Sequence, residues 1–167
     1  MRSSFTADEI FEMAEQIERN GGKFYRAAAE KFPAVRDILL RLAEWEDEHV
    51  QTFAAIRTEL AAGPADPPVF DPDGQSQIYL RAMADGHVFD PKADPGELVA
   101  ETDTPEDILH LAISVERDSI AFYAGLKQSI SAAAGRDKVE AIIKEEVNHV
   151  AILSTELDAL ASKESKK

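Results

Sequence analysis

Two Glu-x-x-His pairs, Glu46–His49 and Glu146–His149, stand where the apolar stripes of two helices should run. No other feature of the chain constrains its fold as tightly. The spacing sets both side chains of a pair on one helical face, a turn apart, so both reach one point in a core. The stripe around the first pair reads Val35, Ile38, Leu42, Trp45/Glu46, His49, Phe53, Ile56, Leu60. Around the second it reads Val139, Ile142, Glu146, His149, Leu153, Leu157, Leu160. Two more stripes carry one glutamate each: Phe11, Ala14, Glu18, Gly21, Tyr25, Ala28, Phe32, and Leu109, Ala112, Glu116, Ser119/Ile120, Tyr123, Leu126, Ile130. Leaving a carboxylate unpaired inside a bundle costs roughly several kcal/mol after relaxation, and a group of them also repels. Either something cationic compensates them or they are protonated.

The arrangement is duplicated. Glu18, followed by Phe24-Tyr25, recurs as Glu116 followed by Phe122-Tyr123, and the interval to the paired motif is 28 residues in one half and 30 in the other. Shared order, spacing and aromatics point to an internal repeat with pseudo-twofold symmetry. Carboxylate oxygens and imidazole nitrogens together suit iron or manganese, with zinc a further possibility. Four carboxylates also balance two divalent ions and leave a dry centre neutral.

The rest of the chain supports a single all-α domain over residues 1–167. Long helices are expected at about 6–31, 33–62, 104–133 and 137–161. The first opens on a capping-box pattern, Thr6-Ala7-Asp8-Glu9, and the third on Thr104-Pro105-Glu106-Asp107. The Gly21-Gly22 pair in the first implies close approach or a bend. Short breaks make helices one and two antiparallel, and likewise three and four. Seven of the eight prolines lie from Pro64 to Pro105, so residues 63–103 are not one helix. Short helical pieces are expected at Gln75–Asp85 and Glu97–Thr102, and the segment is long enough to cross the full length of a bundle.

These residues resemble the rubrerythrin-like branch of the ferritin-like di-iron carboxylate superfamily, across all four long helices. The resemblance implies a ferritin-like four-helix bundle with a long crossover between helices two and three. It implies two iron ions held by Glu18, Glu46, His49, Glu116, Glu146 and His149, with Glu46 and Glu146 bridging and Glu18 and Glu116 terminal. It further implies an oxidoreductase that reduces hydrogen peroxide or dioxygen. Two departures stand out: rubrerythrins carry a further glutamate where this chain has Ser119, and the rubredoxin domain has no cysteine here to build it. Electrons would therefore come from an external donor.

The remaining residues are read more plainly. Tyr25 and Tyr123 would hydrogen-bond to ligands, relay electrons or simply pack in the core. Trp45 is expected to pack beside its stripe, and Asp107 and His110 to form a surface pair. His87 reads as a loop residue of the crossover, and Glu44, Asp47, Glu48 and Glu145 as a solvated face. The absence of cysteine excludes disulfides, thiolate zinc sites and cysteine nucleophiles. The charge of −14 argues against nucleic acid and anionic membranes as partners. With no signal-like apolar stretch at the N-terminus and no spanning window, a cytoplasmic protein is expected. A homodimer is the expected assembly, supported by apolar residues such as Val69-Phe70 or Ile78-Tyr79-Leu80. Two other functions compete with the redox enzyme: ferroxidase or iron storage, and an interaction module with a structural metal.

Overall fold

A computed structural model describes residues 5–62, 71, 73–86 and 94–164. The described residues contain helices and no strand: α1 (Ala7–Lys31), α2 (Arg36–Ala62), α3 (Gln75–Gly86), α4 (Pro95–Ala100), α5 (Pro105–Ser129) and α6 (Arg136–Glu164). α1 and α5 open on the same device. The Thr6 and Thr104 hydroxyls accept from the backbone N–H of Glu9 and Asp107, whose carboxylates accept from the threonine N–H in return. Two orphan donors are satisfied at each start. Asp107 is therefore committed to its cap, and the expected pair with the exposed His110 does not form.

Several boundaries differ from those expected. Pro33–Val35 forms a separate 3-10 turn before α2. α5 ends at Ser129 instead of continuing to 133, although three alanines follow. Tertiary closure overrides their helix propensity. Ile130 turns extended (φ −116°, ψ 151°) and buries its side chain, while its carbonyl accepts from the Arg136 guanidinium at 2.9 and 2.6 Å. Ser131 then caps the 3-10 turn Ala132–Ala134, which Gly135 ends at a φ of 93°. That left-handed backbone favours glycine. α4 starts at Pro95 instead of Glu97, because Asp94 accepts from the Gly96 N–H and proline suits the first turn.

α1 packs along α2 and α5 along α6. The core forms two apolar clusters. One joins Ile10, Phe11 and Ala14 of α1 and Val139 and Ile142 of α6 to Phe53 and Ile56 of α2, Phe122, Tyr123 and Leu126 of α5, and Ile130 just past its end. The other joins Phe24, Tyr25 and Ala28 of α1 and Leu153 and Leu160 of α6 to Leu39 and Leu42 of α2 and Ile108, Leu109 and Ala112 of α5. The beginnings of α1 and α6 thus meet the ends of α2 and α5. α1 and α6 run one way, α2 and α5 the other, and the chain from α2 to α5 crosses the length of the bundle.

The crossover is anchored at both ends of that path. α3 lies on α5, with Leu80 fully buried and the Tyr79 hydroxyl donating to the Ala121 carbonyl at 2.8 Å. α4 lies on α1, where the Lys31 ammonium donates to the carbonyls of Val99, Ala100 and Thr102 at 3.0, 3.1 and 2.5 Å. These carbonyls cluster at the C-terminal end of α4, where the helix dipole favours a cation. Ile78 remains 70 % exposed. His87, Val69 and Phe70 fall outside the described residues. None of the helices among the described residues is long and apolar enough to cross a membrane.

Candidate metal centre

Between the two apolar clusters, at mid-length of the bundle, each long helix turns its off-pattern residue inward. Glu18 from α1, Glu46 and His49 from α2, Glu116 from α5, and Glu146 and His149 from α6 are all buried. The structure brings all six together. They form two overlapping sets whose ligand atoms lie within 4.8 Å of one another: Glu18, Glu46, His49 and Glu146, and Glu46, Glu116, Glu146 and His149. Glu46 and Glu146 belong to both sets, Glu18 and Glu116 to one each.

Close packing makes room for this. A Cβ on Gly21 would lie 2.8 Å from Glu46 Oε2, so the glycine of α1 is what lets the Glu46 carboxylate stand where it does. The helix continues through both glycines without a break, and the contact at Gly21 is the close approach that the glycine pair implied. At the corresponding place on α5 stands Ser119, whose hydroxyl donates to the Val115 carbonyl of its own helix at 3.3 Å.

The tyrosines cross between the halves. Tyr25 of α1 donates its hydroxyl to Glu116 of α5, and Tyr123 of α5 donates to Glu18 of α1. Each therefore steadies the carboxylate of the opposite half. Burial is the largest cause that pushes both phenols well above their usual range, and the carboxylates add to it. The hydroxyls accordingly stay protonated and act as donors.

The carboxylates and imidazoles perturb one another strongly. Burial, then the nearby Glu18 and Glu146 charges, raise Glu46 well above the ordinary carboxyl range. Burial and Glu146 push Glu116 up to about 8. For Glu146 burial acts the same way but is outweighed by the polar groups facing its oxygens, Glu116 and both histidines, and the net direction is downward. Burial alone would lower the imidazoles, yet their carboxylate partners overcome it and raise His49 to about 11 and His149 to about 9. Like charges forced together in a dry site leave protons, or a cation, as the compensating charge.

The donor set fits metal ions better than it fits itself. Both Glu146 oxygens and His149 Nδ1 are fully buried without a hydrogen-bond partner among the described residues. His49 Nδ1 stands 2.8 Å from Glu146 Oε1, and His149 Nδ1 stands 3.2 Å from Glu146 Oε2, without the alignment of a hydrogen bond. These donor atoms converge on shared space. An acceptor-rich, cysteine-free set of this kind suits hard and borderline divalent ions.

Two features of the site were not foreseen from the stripes. Glu145 is 58 % exposed, as a solvated residue should be, but its Oε2 lies 2.9 Å from His49 Nε2. Trp45 packs against the core as expected, and its ring also stacks on His149, with centroids 5.1 Å apart and planes 10° apart. Position in the repeat was the available signal, since each residue immediately precedes a Glu-x-x-His pair. Glu44, Asp47 and Glu48 are exposed, and Asp47 pairs with Arg26.

A helical bundle with a full-length crossover, closed around buried glutamates and histidines from its four long helices, is the architecture of ferritin-like proteins. The sequence model for the ferritin-like domain matches residues 6–159, and the chain belongs to that family. A structure from Thermotoga maritima, described as a candidate ferritin-like diiron-carboxylate protein, is similar in fold: TM-score 0.62, 24 % sequence identity, covering 93 % of this chain and 96 % of that one. Comparison with curated proteins gives no significant match.

Proposed function

We propose that the centre holds two iron ions, with Glu46 and Glu146 bridging, Glu18 and Glu116 terminal, and His49 and His149 one to each ion. The protein would then be a rubrerythrin-like oxidoreductase. The observation that carries this reading is the pair of buried candidate ligand sets that share Glu46 and Glu146, each drawn otherwise from one copy of the repeated motif. When bound, an iron pair supplies electrons to hydrogen peroxide or dioxygen; for peroxide, two electrons and two protons yield two waters.

The chain's own residues contribute position, charge and dryness. Glu46 and Glu146 offer both oxygens to the centre. The Tyr25 and Tyr123 hydroxyls hold Glu116 and Glu18 in place, so the terminal carboxylates do not swing freely. The apolar clusters above and below keep bulk water out. Ser119 is turned to its own helix, so the ligand set stays fixed where a rubrerythrin would exchange a further glutamate. The electrons come from an external donor, and a cytoplasmic homodimer is the working assembly.

The test is anaerobic reconstitution with ferrous ion, followed by elemental analysis and by stopped-flow mixing of the reduced protein with peroxide or oxygen. Two irons per chain, oxidised by either oxidant and re-reduced over many cycles by a chemical donor, support the enzyme. Iron that accumulates far beyond two per chain, in a particle the size of a closed shell, would replace it with iron storage. Bound metal that responds to no oxidant, and whose removal unfolds the chain, would replace it with a structural role.

A further inference from the structure

The two halves of the centre repeat at every ligand, but they differ at the residue that precedes each Glu-x-x-His pair: Trp45 in one half and Glu145 in the other. The bundle sends each of these across to the histidine of the opposite half. Glu145 of α6 sets its carboxylate 2.9 Å from Nε2 of His49, the ring nitrogen that faces away from the centre, while Nδ1 lies among Glu18 and Glu146. Trp45 of α2 lays its indole flat on the ring of His149. His149 Nε2 has no hydrogen-bond partner among the described residues, and its Nδ1 lies among Glu46, Glu116 and Glu146.

We infer that the two metal positions are inequivalent, that the His49 position binds its ion first and more tightly, and that Glu145 is the positioning residue responsible. This rests on the two-ion reading above. A carboxylate on the outer nitrogen of a ligating histidine fixes the tautomer, aims the inner lone pair at the metal and makes it a stronger donor. His149 is aimed by packing alone, because an indole face offers no acceptor for an N–H. Loss of such a carboxylate weakens metal binding by about 10- to 100-fold in general. Glu145 is 58 % exposed, so solvent competes for its contact and the low end of that range applies.

The probe is cobalt(II) alone, added without oxygen to the whole protein after chelation, with visible ligand-field absorption and calorimetry followed together. The unmodified protein should take up two ions in two resolved steps. Glu145→Ala should weaken the first step about tenfold and leave the second where it is, so that the steps merge. Glu145→Gln, whose carbonyl still accepts from His49, should restore part of the difference. Glu48→Ala removes the same charge from an exposed site that touches no ligand, and should move neither step.

Two equal, independent steps in the unmodified protein would overturn the inference while leaving the two-ion centre intact. So would a Glu145→Ala curve that superposes on the original, or an equal shift in Glu48→Ala, which would reduce the effect to general charge. Uptake of one ion or none by the unmodified protein would overturn the two-ion reading and this inference with it.

Discussion

Glu46 is one of the two carboxylates shared by both candidate ligand sets, and it tests the centre most directly. Glu46→Gln keeps its shape and removes its charge, so it separates coordination from packing. The variant should hold half its iron or less after anaerobic reconstitution, measured by elemental analysis. Its metal-free melting temperature should stay level or rise, since burial already drives that carboxyl toward its neutral form. A full iron complement in the variant would remove Glu46 from the ligand set. The six buried residues were legible in the sequence because each breaks an apolar stripe, and a carboxylate at a core position demands a reason. Glu145 was not legible. Its position along α6 faces solvent, and its contact with His49 exists only because helices 96 residues apart in sequence lie side by side. The tyrosines were intermediate: their spacing from the glutamates marked them, but each binds the other half's carboxylate, 91 and 105 residues away, which only the packing decides.

Glycines on two helices decide how closely their neighbours approach. In Gly21→Ala, the new Cβ would stand 2.8 Å from Glu46 Oε2 and 3.0 Å from its Cδ, so the carboxylate must shift. Alanine also gains about 1 kcal/mol of helix propensity in the middle of α1. The two effects separate by measurement: metal-free stability in urea should hold or improve, while bound iron falls. An unchanged iron content would mean that Glu46 is free to reach the centre by another rotamer. Gly125 of α5 plays a similar part for the crossover, since a Cβ there would lie 2.5 Å from the Tyr79 ring. Gly125→Ala should push α3 outward, break the bond from Tyr79 to the Ala121 carbonyl and speed amide exchange in residues 75–86 without exposing α5 or α6. Slow exchange throughout α3 would show that the tyrosine simply swings aside. The helix starts were legible because threonine caps are local chemistry. The early end of α5 was not, because burial of Ile130 and the Arg136 contact to its carbonyl depend on the tertiary fold.

At the scale of the molecule, the bundle is a container whose stability must depend on what neutralises its interior. Glu116 is pushed from 4.5 up to about 8, so between those values the folded, metal-free protein holds a proton that the unfolded chain has released. Stability then falls as pH climbs through that interval. The histidines act in the same direction: His149, raised from 6.5 to about 9, and His49, raised to about 11, stabilise the fold while charged and lose that contribution as pH rises through those values. Glu146, lowered from 4.5, works oppositely, and its contribution is lost as pH falls below the ordinary carboxyl range. The metal-free protein should therefore be most stable near the ordinary carboxyl value of 4.5 and weaken steadily from there toward about pH 9. Metal ions reverse the sign, because ligation needs the carboxylates and imidazoles free of the same protons, and affinity rises as those protons leave. Urea midpoints measured across that range, with chelator and with ferrous ion under nitrogen, should fall along one curve and stay level or rise along the other. Parallel curves would mean that the buried carboxylates carry neither protons nor metal, and that some other cation neutralises the core.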